Sequence, residues 1–287
     1  MKASVVVITY DRSQIIGRCL DSLERQTVKP NRIIVIDSSE NDETEKIVRD
    51  RNIVYKHVRK RLYQPQARNL ALEMVGDPIV AFLDDDCICT PEWMENIIQG
   101  YTGGRIVGVF GPIIEQTKDL HLLEEAKNYT SSKPILRKSM YGGNMSFITQ
   151  KLKEINGFDE FYGAYDGLME DEDPLIALVM QGYRFRYMPK ALVYHLKFMS
   201  GGARSKNQAD PFYKYNPDYY RWIGLCRKHI IAKYFSKHLI PGQLLWIIYN
   251  LQTHLPDVLT LPFVRKDQIL IEYLKGLFHT IFGTYRQ

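Results

Sequence analysis

Cysteine is scarce in this chain: Cys19, Cys87, Cys89 and Cys226 are the only four in 287 residues. Cys87 and Cys89 form one C-x-C pair, and no second pair or histidine cluster stands near it at metal-ligand spacing, which argues against a zinc site. So few thiols suit a reducing cytosol. Long apolar runs are missing too. The run near the N-terminus extends from Val5 to Thr9 at most, too short for the core of a signal peptide and better suited to a buried strand. Nowhere do the ~18 uninterrupted apolar residues of a membrane span occur. A surplus of one charge is lacking over most of the chain. Residues 1–220 hold 29 Lys/Arg against 30 Asp/Glu, a balance that gives no sign of a nucleic-acid-binding body. Residues 221–287 hold 9 against 3, so the basic surplus belongs to a tail with a partner of its own.

What is present is a core. Hydrophobic residues make up 45% of the chain and charged residues 25%, the ordinary balance of a globular protein. The β-branched stretch "ASVVVITY" reads as a strand, and "SQIIGRCLDSLERQT" follows as a helix with Ser13 as its N-cap. "RIIVIDS" and "IVYKHV" are further strands, separated by a short helix in "NDETEKIVRDR". "QPQARNLALEMVG" is a helix closed by Gly76, and "PIVAFL" is the fourth strand. Strands alternating with helices predict an α/β fold, a mostly parallel sheet with helices on both faces. Such sheets bind ligands in the crevice at the carboxyl ends of their strands. Asp11, Asp37 and the run Asp84-Asp85-Asp86 all fall at such ends. Near residue 140 the texture turns Gly-rich and acidic, and beyond about residue 215 come basic amphipathic segments broken by Pro241, Pro256 and Pro262. A catalytic domain over 1–214 and a helical region over 215–287 are therefore expected.

Three adjacent carboxylates repel one another. They can be a solvated loop that caps a helix near Thr90-Pro91-Glu92, or a site for a hard cation such as Mg²⁺ or Mn²⁺, which would relieve the repulsion and hold a diphosphate. The triplet is weak evidence alone and strong in company. "TYDR" ends the first strand, "IDSS" the second and "FLDDD" the fourth; "QARNLAL", "GGNMSF", "GFDE", "MEDEDPLIALVMQG" and "ALVYH" follow in order. With these pieces, residues 3–200 resemble the family-2 glycosyltransferases. The resemblance implies a GT-A, Rossmann-like fold, a nucleotide-diphosphate sugar as donor, a divalent metal, and inversion at the anomeric carbon.

The resemblance also implies roles. Tyr10 matches the position where a ring lies on the nucleobase, with Thr9 beside it, and stacking suits a grip on a π face. Asp37 matches the carboxylate that accepts from the N3–H of uracil or thymine. Arg68 matches an arginine near the nucleotide, Asp84 a residue on the ribose side, Asp85 a helper and Asp86 the metal ligand. His195, closing "ALVYH", stands where several members supply a further metal ligand, and a neutral imidazole can bind Mn²⁺. Gly142-Gly143-Asn144 brings backbone and an amide near the donor sugar. In "MEDEDP", the family pattern aligns with Glu170, Asp171 and Asp173 and makes Asp171 the general base, needed because a hydroxyl attacks poorly until its proton is removed. Mutual repulsion is expected to raise at least one pKa in this cluster. The same acids also suit the first turn of a helix running to Gly182.

Two departures stand out. Ala177 replaces an arginine common in the family and Pro174 a leucine, which touches the anchoring of that helix. "DYYRW" has Asp218 where processive members have Gln, so one sugar per encounter is expected. The tail, from "LCRKHIIAKYFSKHLIPGQLLWIIYNLQ" to "YLKGLFHTIFGTYRQ", is similar to C-terminal regions of members that build bacterial or archaeal surface polysaccharides on lipid carriers. It reads either as interfacial helices drawn to anionic lipid or as a helical subdomain on the catalytic body. A glycan or lipid-linked acceptor and a cytoplasmic place at the inner face of the cell membrane follow. Three rivals are a phosphatase of the haloacid dehalogenase type, whose D-x-D follows the first strand rather than the fourth, a nucleotidyltransferase, which opens with a Gly-rich loop that "TYDRSQ" is not, and a non-catalytic nucleotide-sugar-binding module.

Overall fold

The structure, a computed structural model, describes residues 1–115, 142–165, 167–196, 202 and 217–234. The chain divides into two compact units, Met1–Glu160 with Glu170–Arg204, and Phe161–Met169 with Ser205–Gln287.

In the first unit a seven-stranded sheet runs in the order β3 (Val54–His57), β2 (Arg32–Asp37), β1 (Ala3–Thr9), β4 (Ile79–Asp84), β8 (Asn144–Ile148), β6 (Ile106–Phe110) and β9 (Arg184–Tyr187). β3, β2, β1 and β4 are mutually parallel, β8 is antiparallel to both neighbours, and β9 runs parallel to β6. This is the mostly parallel sheet that the alternating pattern predicts.

Its central strands β2, β1 and β4 are apolar at nearly every position because both faces are covered. Period-two alternation sends Val5, Val7, Ile33, Val35, Ile79 and Ala81 to one core, where α1 (Ser13–Glu24) adds Ile16, Leu20 and Leu23 and α4 (Trp93–Gln99) adds Trp93 and Ile97. Val6, Ile8, Ile34, Ile36, Val80 and Phe82 face the other core, filled by α3 (Gln64–Met74), α5 (Thr149–Glu154) and α6 (Glu172–Met180) through Ala71, Leu152 and Leu178. Phe82 meets Phe158 edge-on at 5.1 Å and Phe147 at 6.3 Å.

α2 (Glu43–Val48) is short, as expected. Two helix ends differ from expectation. Arg12, with φ −129°, is the N-cap of α1, and Ser13 is already helical. α3 stops at an extended Val75, so Gly76 supplies no left-handed turn. A second sheet of three strands, β5 (Cys87–Cys89), β10 (Val193–His195) and β7 (Ile113–Glu115), stands at the end of β4.

In the second unit the described helix is α7 (Pro217–Tyr234). Ile223, Cys226, Ile230 and Ile231 are buried, a stripe at helical spacing. His229 stacks on Phe161 at 3.9 Å, with the rings 10° from parallel. No helix among the described residues is long and apolar enough to cross a membrane. Trp246 and the rest of the basic tail from residue 235 lie outside the described residues.

Candidate active site

Register gathers the acids. Parallel pairing sets Thr9 beside Asp37 and Ile8 beside Asp84, so β1, β2 and β4 end at one level and their following residues share one rim. Asp84 closes β4, Asp85 and Asp86 form the turn, and Cys87 opens β5.

The repulsion within the triplet is met first by the chain itself. Asp85, buried, accepts from the Thr9 hydroxyl at 2.7 Å and from Arg12 Nη1 at 2.8 Å. The same Nη1 lies 3.3 Å from Asp86 Oδ2. Burial pushes the Asp85 carboxyl up to about 6; Arg12 pulls the other way and Asp86 adds to the rise.

Asp84 stays partly open, its side chain 36% exposed, with Oδ1 3.9 Å from Arg68 Nη2. Asp86 Oδ1 is 3.2 Å from His195 Nε2. His195 arrives because β10 pairs antiparallel with β5, which sets it opposite Cys87. One ligand atom from each of Asp84, Asp86, Cys87 and His195 lies within 4.8 Å of the others. Two carboxylates and an imidazole at that spacing fit a Mn²⁺- or Mg²⁺-sized ion. Cysteine enters this group although no histidine stands near it in sequence, since strand register and not linear spacing makes the neighbourhood.

The second acid group comes from the start of α6. Asp171 is the N-cap of that helix, yet its carboxylate makes no capping bond. Its Oδ2 accepts instead from the Gly142 N–H at 2.8 Å. Pro174 falls in the first turn, where a missing N–H breaks no helical bond. Glu170 is buried and forms an ion pair with Arg68, which also donates to the Gly142 carbonyl at 3.2 Å. A Cβ on Gly143 would lie 2.6 Å from Asp84 Oδ2, so a larger residue there requires the Asp84 carboxylate to shift. Asp84 and Asp171 thus border adjacent glycines, Gly143 and Gly142, and Arg68 stands between Asp84 and Glu170. Just before these acids, Met169 has a left-handed backbone, φ 65°, an unfavourable state for an L residue that concentrates at working sites.

Several residues expected to contact the donor are engaged with the chain itself. Thr9 and Asp85 are buried against each other. Asp37 is fully buried, accepting from Ser39 at 2.8 and 2.5 Å and from the Tyr55 hydroxyl at 2.8 Å. A base N–H can touch it only after a neighbour moves. Asn144 is fully buried too, accepting from Trp93 Nε1 at 2.9 Å and donating to the carbonyls of Ala191 and Pro112. Arg68, expected beside the nucleotide, is buried among the acids. Tyr10 is half-buried, and the Arg61 guanidinium lies 4.7 Å over its ring. Arg12, Arg61 and Cys87 are the members that motif reading misses. The one available signal for Arg12 is its place in "TYDR".

A family model described as Glycosyl transferase family 2 matches residues 4–158, more than half of the chain. The O-antigen chain rhamnosyltransferase RfbN of Salmonella typhimurium is 27% identical over 213 residues, 68% of this chain and 66% of that protein. Glycosyltransferase AglE of Haloferax volcanii is 28% identical over 38% of each chain. A Campylobacter jejuni GalNAc(5)-diNAcBac-PP-undecaprenol beta-1,3-glucosyltransferase is 28% identical over 56% of each. The chain therefore spans less than two thirds of the length of these relatives. Among solved structures, the mannosyltransferase PcManGT of Pyrobaculum calidifontis, in complex with GDP-Man and Mn²⁺, aligns with a TM-score of 0.55 at 17% identity, over 99% of this chain and 88% of that one. TarS of S. aureus with UDP-GlcNAc aligns at 0.60 and 16%, over 98% and 82%. At such identities the likeness is one of fold, and the fold is GT-A.

Proposed function

From the premise that this chain belongs to glycosyl transferase family 2, we propose that it transfers one sugar per encounter, with inversion, from a nucleotide-diphosphate sugar to an acceptor hydroxyl. One observation carries the reading: Asp84, which shares a ligand group with Asp86 and His195, lies against Gly143, and the carboxylate of Asp171 accepts from the neighbouring Gly142 N–H.

Asp171 is the general base. The Gly142 N–H fixes the orientation of its carboxylate, and the positive end of α6 favours the ionised form that can take a proton. Proton removal during attack turns a hydroxyl with a pKa far above 7 into a competent nucleophile. A Mn²⁺ or Mg²⁺ ion held by Asp86 and His195, with Asp84 beside them, supplies positive charge to the departing diphosphate when bound. Arg12 holds Asp85 and Asp86 in place, and Arg68 holds Glu170 next to the base. Tyr10 offers the nucleobase an aromatic face, shared with Arg61. Thr9, Asp37, Asp85 and Asn144 set the shape of the donor pocket through their buried bonds.

The acceptor is a glycan or a lipid-linked glycan, the kind of molecule named for the Salmonella and Campylobacter relatives. The basic tail, residues 221–287, brings the enzyme to an anionic membrane surface on the cytoplasmic side. Flotation with anionic liposomes at low salt tests the tail; a protein left wholly unbound ends that part of the proposal.

The decisive experiment incubates the chain with a panel of nucleotide sugars and Mn²⁺ and follows nucleoside diphosphate release, with the anomeric configuration of the product read by NMR. Metal-dependent release and an inverted product support the reading, and Asp86→Asn abolishes both. Tight donor binding without turnover across many acceptors points instead to a binding module. Phosphate release from a monoester points to a phosphatase.

A further inference from the structure

The thiol of Cys87 has no part in the reaction above, yet its sulfur belongs to the same group of ligating atoms as Asp84, Asp86 and His195, all within 4.8 Å of one another. Cys87 follows the acid triplet directly, and the pairing of β5 with β10 sets it opposite His195. Opposed residues of an antiparallel pair project to the same face, so thiol and imidazole share one side by construction. Cys89, two residues on, is also buried, but it stands opposite Val193 and outside the ligand group. The two cysteines differ in one respect that matters to a cation: one has carboxylate and imidazole neighbours.

We propose that Cys87 is a metal ligand, and that it gives the centre a mixed oxygen, nitrogen and sulfur donor set which prefers thiophilic ions such as Cd²⁺ and Zn²⁺ to Mn²⁺, and Mn²⁺ to Mg²⁺. The inference rests on the metal-assisted reading of the site. An all-oxygen set suits Mg²⁺, whereas imidazole and thiolate move the preference toward softer ions. On binding, the S–H bond breaks, a sulfur–metal bond forms and the proton leaves to solvent. A dication there offsets the two carboxylates that the sulfur would otherwise face as a thiolate.

The test titrates the full chain with CdCl₂ and records near-ultraviolet difference absorption, where a sulfur-to-cadmium charge-transfer band reports a Cd–thiolate bond. A saturable band is expected in the wild type and in Cys89→Ser, and none in Cys87→Ser or Cys87→Ala. In competition, followed by the Mn²⁺ resonance signal, Cd²⁺ is expected to displace Mn²⁺ at about tenfold lower concentration in the wild type than in Cys87→Ser. No band in the wild type, or a band that survives Cys87→Ser, overturns the assignment. If the band is absent while Mn²⁺ still binds and supports diphosphate release, the thiol assignment alone falls. If neither ion binds, the metal-assisted reading falls with it.

Discussion

Replacing Arg68 with methionine keeps an unbranched apolar stem but removes a guanidinium from the interior of the first unit. The side chains of Arg68 and Glu170 are 3% and 4% exposed. The guanidinium also lies 5.4 Å over the Phe158 ring and 5.8 Å over that of Phe82. Methionine preserves the packing on those rings, so the loss is mainly electrostatic. Breaking a buried pair from one side leaves a desolvated charge without its counterion and costs about 3–5 kcal/mol. Glu170→Leu alone strands the guanidinium to a similar degree, with Asp84 3.9 Å away still compensating in part. Removing both charges takes away attraction and desolvation together, so Arg68→Met/Glu170→Leu should recover much of the loss. A coupling of about 2–3 kcal/mol between the two sites follows. Urea unfolding of the four proteins, followed by far-ultraviolet circular dichroism, measures it. Additive losses would show that the two groups do not stabilise each other, and the account of how the base-bearing segment is anchored would have to be abandoned.

Asp171→Asn should lower kcat by about 10²–10⁴-fold, the usual contribution of a positioned base, while calorimetry shows donor affinity unchanged; equal losses in both would assign the residue to binding. Gly143→Ala puts a methyl 2.6 Å from Asp84 Oδ2. It should weaken Mn²⁺ binding measured by titration while costing about 1–3 kcal/mol of stability, the range for overpacking; unaltered metal affinity would show that the Asp84 carboxylate has room to step aside. Phe82→Ala removes the centre of the edge-on cluster with Phe147 and Phe158. It should lower stability by about 3–5 kcal/mol in denaturant unfolding, with a loss below 1 kcal/mol counting against a tightly packed cluster.

The sheet was legible because its strands carry their own evidence. Val5 and Val7 against Val6 and Ile8 are all apolar, which demands a cover on each face, and the helical spacing of Ile16, Leu20 and Leu23 supplies one cover. Strand-end acids could likewise be placed at the rim from order alone. Side-chain direction could not. A polar residue at a strand end may equally meet a ligand or a buried neighbour, and for Thr9, Asp37, Asp85 and Asn144 the neighbours are Asp85, Tyr55, Arg12 and Trp93. Those pairs join positions from 18 to 76 apart in the chain, beyond the reach of any local pattern. Cys87 fails for the same reason, since its partner His195 comes through the pairing of two three-residue strands. Asp85 in the triplet is pushed up to about 6, since burial there outweighs the help of Arg12.

The small sheet at the end of β4 has a consequence for biosynthesis. β1 to β4 can pair while the chain is still emerging from the ribosome, since all four lie within the first 84 residues. The imidazole that stands beside Asp86 follows more than a hundred residues later, on the last strand among the described residues. A nascent chain can therefore pair these four strands before the proposed cation site is complete, and translation halted short of residue 195 would leave that site without its imidazole.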